Sequence, residues 1–246
     1  NVCVAESAGA YVRSLPTMNY TDALRYFRRN DVEADTEIKL ESLAPDQFLA
    51  MLKEIAFESP FEVGLMRLRD ADHSWVISKG DATHCRLRPQ GGAHLVDVLI
   101  HNHPHEGYPV PSGGDVFNQF FNVGASAWIL GRDGVISYDT DNLRDPKQSA
   151  EDNLDLNFHQ LEEAIPSGGW ERDPRTGNYS DAAKKAIRSF FQSLNIQISG
   201  LQAWEDLSVR SLPEKSRDFS EVLLKGNDKE RHQALHQFLN FMSVSQ

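Results

Sequence analysis

Cysteine is scarce in this chain. Of 246 residues only Cys3 and Cys85 are cysteines, and no Cys-x-x-Cys motif is present. Two cysteines cannot form the disulfide framework of a small secreted domain, so we expect a reducing compartment such as the cytoplasm. Without paired thiols, any metal site in this chain must be built from histidines and carboxylates.

Long apolar runs and excess positive charge are also lacking. No run approaches the roughly 20 apolar residues that span a bilayer, so we expect no membrane partner. No signal-peptide pattern is visible in the sequence. The formal net charge of −11 argues against nucleic acid as a partner, because phosphate binding needs clustered Lys and Arg. The 40% of hydrophobic residues is typical of a globular protein, and the length permits a sizeable core.

Hydrophobic periodicity predicts both helices and strands, and therefore an α/β (α+β) fold. Thr21 is a plausible N-cap for a first short helix, and a second helix should run from about Pro45 to Phe57. Strands are predicted over 61–68, 73–78, 83–87 and 95–103, and a hairpin over 125–138. The strand over 95–103 is the most apolar, so it should lie near the middle of the sheet.

After about residue 145 the sequence favours helices. We predict one helix from Ser149, one capped by Ser180 and one from about Asp228, each with an apolar stripe suited to core packing. The predicted organisation is therefore an N-terminal extension with a short helix over 1–44, a core over 45–145 and a helical C-terminal region over 146–246. The oligomeric state is not predicted.

Two histidines mark a candidate metal site at the end of the most apolar strand. Side chains alternate between the two faces of a strand, so His101 and His103 should point the same way. Pro104 lacks an N–H and should end the strand. Asp115, beyond a Gly- and Pro-containing loop, is a third candidate ligand. Two histidines and one carboxylate leave one position of a tetrahedral site open, as in catalytic zinc sites.

Each candidate residue also has a structural alternative. Asp115 can serve as a helix cap, Ser112 can be an ordinary loop serine, and Glu62 can be an exposed strand residue. Glu58 is an alternative catalytic base, although it lies at a predicted helix end. His105 shares the i, i+2 phase of the other two histidines, but that phase need not persist beyond the proline.

The order of these residues resembles the JAMM (MPN-plus) metalloprotease pattern, which is a Glu, then His-x-His-Pro, then Ser-x-x-Asp. Here the matching positions are Glu62, the run His101-Asn102-His103-Pro104, and the run Ser112-Gly113-Gly114-Asp115. The His-Asn-His-Pro wording is closer to the bacterial RadC branch than to eukaryotic deubiquitinases. The resemblance covers roughly residues 60–140, and the loop from His105 to Pro111 is about one residue longer than is usual in the family.

The resemblance implies a cytidine-deaminase-like MPN core, with a mixed, curved β-sheet flanked by helices, that holds one Zn²⁺ per chain. His101, His103 and Asp115 would bind the metal, Glu62 would be the general acid/base, and Ser112 would stabilise the oxyanion. The expected activity is cleavage of isopeptide or peptide bonds, with ubiquitin or a ubiquitin-like protein as substrate and partner. Alternatives are a zinc peptidase for another protein substrate and a catalytically silent MPN-type scaffold.

Two other readings of the motif are excluded. An HNH nuclease has its motif residues dispersed along the chain, and the acidic charge argues against one. The cytidine-deaminase zinc signature requires His-x-Glu and Pro-Cys-x-x-Cys, which are absent here. A further hypothesis is delivery into a host or target cell, since the predicted helical regions have no counterpart in the family and the sequence begins without Met.

Overall fold

The computed structural model describes residues 11–68, 74–89, 96–122, 125–143, 172 and 178–207. The helices are α1 (Tyr20–Phe27), α2 (Pro45–Glu58), α3 (Gly113–Phe121) and α4 (Asp181–Ser193). The strands are β1 (Thr17–Met18), β2 (Glu37–Leu40), β3 (Val63–Leu68), β4 (Trp75–Lys79), β5 (Val96–Asn102), β6 (Ser126–Leu130), β7 (Gly134–Asp139), β8 (Gln197–Ile198) and β9 (Gln202–Ala203). Residues 11–14 are also helical.

The nine strands in the described residues belong to one open, mixed sheet. Their order is β1-β2-β4-β3-β5-β6-β7-β8, and β9 pairs with β7 beside β8. The pairs β1–β2 and β5–β6 are parallel and the other pairs are antiparallel. Strand β5 therefore lies inside the sheet between β3 and β6, as its apolar sequence predicted.

Helices cover both faces of the sheet. Helices α1 and α2 pack on one face, where Val98 and Ile100 of β5 join their core. Leu99 of β5 points to the opposite face, where a second apolar cluster continues towards α3 and α4. Because side chains alternate along the strand, His101 and Leu99 share this second face. The candidate site thus lies on the side of the sheet that carries α3.

Helices α1 and α4 show how local sequence sets helix ends. Helix α1 begins two residues earlier than predicted, because the side chain of Asn19, not Thr21, accepts the backbone N–H of Asp22 at the N-cap. Helix α4 is capped by Ser180, as predicted, through a bond from the Ala183 N–H.

The strand predicted over 83–87 is wrong. The Asp81 carboxylate accepts the backbone N–H groups of Thr83 and His84, each at 2.8 Å. This local side-chain bond turns the backbone immediately after Gly80 and competes with strand pairing. The residues that follow lie as irregular chain over the α3 side of the sheet, where Leu87 joins its core.

The sheet extends beyond the segment predicted as the core. Strands β1 and β2 precede residue 45, and β8 and β9 follow residue 145 and pair with β7. The last two strands have only two residues each and were not predicted. The helices predicted from Ser149 and from about Asp228 lie outside the described residues. Within the part that is described, no helix combines the length and apolar character needed to cross a bilayer.

Candidate metal and catalytic site

The two histidines lie where β5 ends. His101 is paired with Gly64 of β3 on one side and with Ile129 of β6 on the other. The backbone N–H of His103 donates to the carbonyl of Leu130 at 3.0 Å, so the chain follows β6 for one more residue. Both side chains therefore emerge from the same face, as alternation predicted. His101 is buried and the His103 side chain is 12% exposed.

Asp115 reaches the histidines from the first turn of α3. Ser112 is the N-cap of this helix, and its Oγ accepts the backbone N–H of Asp115 at 3.2 Å. In return, Oδ2 of Asp115 accepts the backbone N–H of Ser112 at 2.7 Å, which completes a capping box. The Tyr138 hydroxyl of β7 donates to the Asp115 carbonyl at 3.2 Å. These bonds fix the carboxylate so that it faces the strand end.

The three side chains converge on one point. Nε2 of His101 lies 3.1 Å from Nε2 of His103 and 2.9 Å from Oδ1 of Asp115. Nε2 of His103 lies 3.2 Å from Oδ2 of the same carboxylate. Ligands held about 2.0–2.1 Å from a zinc ion at tetrahedral angles are about 3.3 Å apart. The spacing and chemistry of these donors therefore fit a metal ion, and this group can hold one.

Charge is concentrated among these side chains. Burial alone would raise the pKa of Asp115, but the charges and hydrogen bonds of His101 and His103 outweigh it, so this pKa lies well below its usual value. Burial alone would lower the pKa of His103. Hydrogen bonds with Asp115 and Glu106 outweigh that effect and raise the pKa to about 10. In the metal-free protein a proton thus occupies a position that a divalent cation can take.

Glu62 lies beside this group, just before β3. Its side chain is buried, and the charges of His101, His103 and Asp115 all act on it. Burial is the largest effect and raises its pKa, which the nearby histidines partly oppose. Interaction with the Cys85 thiol also opposes the rise in the pKa of Glu62, and burial keeps the pKa of that thiol well above its ordinary value.

The second nitrogen of His103 also has a partner. Its Nδ1 lies 3.1 Å from Oε2 of Glu106, and Arg172 donates to Oε1 of the same carboxylate at 2.9 Å. The Arg172 guanidinium stacks on the ring of Tyr179, whose hydroxyl it also contacts. Nδ1 of His101, by contrast, is buried without a hydrogen-bond partner among the described residues. The structure therefore orients one of the two imidazoles through a carboxylate, as in many metal sites.

The two weaker candidates lie outside this arrangement. His105 has a left-handed backbone (φ 68°), is exposed, and places its Nδ1 3.4 Å from an Arg132 nitrogen. It is not part of the group that can hold a metal. Glu58 is exposed at the last position of α2.

The loop from His105 to Pro111 contacts the β6–β7 turn, because the backbone N–H of Arg132 donates to the Glu106 carbonyl at 2.8 Å.

Comparisons of the chain with protein-family models, with curated proteins and with solved structures found no match.

The sequence did not point to three residues around the site, Glu106, Cys85 and Tyr138. A carboxylate three positions after His103 was visible in the sequence. Its contact with that imidazole depends on the left-handed turn at His105, which no local pattern announced.

Proposed function

We propose that this chain is a zinc-dependent hydrolase of the JAMM type that cleaves isopeptide bonds of ubiquitin or a ubiquitin-like protein. The observation that carries the proposal is the convergence of two Nε2 atoms and one carboxylate beside a buried glutamate, Glu62. The proposal includes an MPN-like core around this sheet and one zinc ion bound by His101, His103 and Asp115.

Glu62 is suited to transfer the protons of the proposed reaction. When bound, zinc acts as a Lewis acid and makes water a stronger acid. Glu62 then accepts a proton from water and later donates it to the leaving amine. Burial raises the pKa of this carboxyl group towards neutral pH, and a group with such a pKa can both accept the proton and donate it.

Ser112 is suited to stabilise the oxyanion. Its Oγ already accepts the backbone N–H of Asp115, and its hydroxyl hydrogen remains available to donate. The side chain is only partly buried, so a substrate can reach it. A donor directed at the developing negative charge typically contributes about 100–1000-fold in turnover.

The test is cleavage of di-ubiquitin by zinc-loaded protein. We expect cleavage by the wild type, loss in Glu62→Gln with zinc retained, and loss in His103→Ala together with zinc. Glu58→Gln is the matched control, because it removes the other candidate base from an exposed position. Zinc binding without ubiquitin cleavage would redirect the proposal to another protein substrate. If zinc-loaded protein hydrolysed no peptide or isopeptide bond, a silent scaffold would be the better account.

A further inference from the structure

Asn102 separates the two histidines in sequence and has a hydrogen-bonding role of its own. Its side chain is fully buried, and alternation directs it to the face opposite the imidazoles. There its Oδ1 accepts the backbone N–H of Val63 at 2.7 Å, and its Nδ2 donates to the carbonyl of Phe61 at 3.2 Å. One side-chain amide thus bonds to the residues on both sides of Glu62.

The Asn102 side chain replaces a backbone hydrogen bond that is missing between β3 and β5. Strands β3 and β5 are antiparallel with Gly64 opposite His101, so the continued register would place Phe61 opposite Pro104. Proline has no backbone N–H and cannot donate to the Phe61 carbonyl. The Asn102 amide supplies that missing donor.

The other side of Glu62 is also fixed. Its backbone N–H donates to the Asp81 carbonyl at 2.7 Å, and its own carbonyl accepts the Gly80 N–H at 2.8 Å. With the bonds from Asn102, the peptide groups before and after Glu62 are all held. The direction in which the carboxylate leaves the backbone is therefore set by the strand end itself.

We propose that Asn102 is a positioning residue that holds Glu62 beside the metal site. The inference rests on the proposed function, because it assigns Glu62 the role of the base. Asn102 also lies between the two proposed histidine ligands in the sequence. Its bonds therefore fix the position of Glu62 relative to these histidines. A displacement of about 1 Å in such a group can reduce turnover about 100-fold, which gives the expected scale of the effect.

The test compares Asn102→Ala and Asn102→Asp with Asn122→Ala. Asn122 is a second buried asparagine whose Nδ2 donates to a backbone carbonyl, at the far end of α3 from Asp115. In both Asn102 variants we expect bound zinc to be retained, kcat for di-ubiquitin to fall by about 10–100-fold and KM to change little. Asn102→Asp keeps an acceptor for the Val63 N–H and loses the amide donor to the Phe61 carbonyl, so it separates the two bonds. Asn122→Ala should keep the wild-type kcat.

A second readout does not depend on activity. Co²⁺ can replace zinc as a visible-absorption probe, and we expect Asn102→Ala to change its spectrum as Glu62→Gln does, while Asn122→Ala does not. In the wild type, slow hydrogen exchange of the Val63 amide is expected, since its acceptor is a buried side chain. Rapid exchange there would overturn the inference, even where both Asn102 variants fail to fold.

The outcomes separate the two proposals. A wild type that binds neither zinc nor Co²⁺ removes the proposed function and this inference with it. A wild type that binds both metals, with Asn102 variants that keep its spectrum and its kcat, removes only this inference.

Discussion

Ser112 and Asp115 hold each other at the start of α3. Oγ of Ser112 accepts the N–H of Asp115, and Oδ2 of Asp115 accepts the N–H of Ser112. The same carboxylate faces His101 and His103 at 2.9 and 3.2 Å. Asp115 can therefore take part in the capping box and also be a candidate metal ligand, so the two interpretations of this residue from the sequence are compatible.

Ser112→Ala should affect both stability and turnover. Loss of the N-cap typically lowers the free energy of unfolding by about 1 kcal/mol. Loss of the hydroxyl donor should also lower kcat by about 100-fold or more. Ser180→Ala is the matched control, since Ser180 caps α4 by the same bond to an N–H three residues on. It should lower stability by a similar amount and leave kcat unchanged. Equal kcat in the two variants would rule out the role of Ser112.

Glu106→Gln should weaken zinc binding. The carboxylate accepts from Nδ1 of His103 and favours a free Nε2 that can bind the metal. Loss of such a partner typically costs about 10–100-fold in metal affinity, which competition with a chelator would measure.

Two further variants define the effect at Glu106. Arg172→Ala removes the bond to the other oxygen of this carboxylate and should cause a smaller loss of affinity. Glu41→Gln, at an exposed position, should cause none. Zinc affinity that is equal in wild type and Glu106→Gln would show that His103 needs no such partner.

Zinc affinity should fall as the pH falls. The pKa of His103 is raised to about 10, so below that pH the metal-free protein keeps a proton that zinc must displace. The apparent affinity should drop by about tenfold per pH unit between pH 8 and pH 6, since one proton leaves for each zinc bound. Titration calorimetry in two buffers of different ionisation enthalpy would count the released protons. An affinity independent of pH over this range would contradict the proposed ligand.

Gly64→Ala should destabilise the fold next to the site. A Cβ at Gly64, directly opposite His101, would lie 2.6 Å from the Ser78 hydroxyl and 2.8 Å from the Arg86 carbonyl. Overpacking of this kind typically costs about 1–3 kcal/mol, which urea unfolding would measure. Gly200→Ala is the control, because its Cβ would come no closer than 3.4 Å to the Arg188 side chain. Equal unfolding midpoints for the two variants would show that Ser78 and Arg86 can move away from the added methyl group at no cost in stability.

The candidate site was predictable because its signals are local. Alternation along a strand places His101 and His103 on one face, and the sequence marks Asp115 as a possible helix cap, although the N-cap itself is Ser112. The contacts of Glu106 and Asn102 were not predictable in the same way. The first depends on a left-handed residue in the loop, and the second depends on how β3 and β5 align.

The fold shows the same division between local and long-range signals. The long periodic segments correctly predicted α2, β3, β5 and the β6–β7 hairpin. The strand predicted over 83–87 failed because the Asp81 side chain competes for the backbone N–H groups. The two-residue strands β8 and β9 carry no period of their own and form only because the edge of β7 offers them partners.

The central claim is that His101, His103 and Asp115 bind a metal ion. Elemental analysis of protein produced with zinc and purified without chelator tests it most directly. We predict about one zinc per chain in the wild type and in Glu62→Gln, and almost none in His101→Ala, His103→Ala or Asp115→Asn. A folded wild type that retains no zinc, or a folded His103→Ala that retains as much as the wild type, would contradict the account.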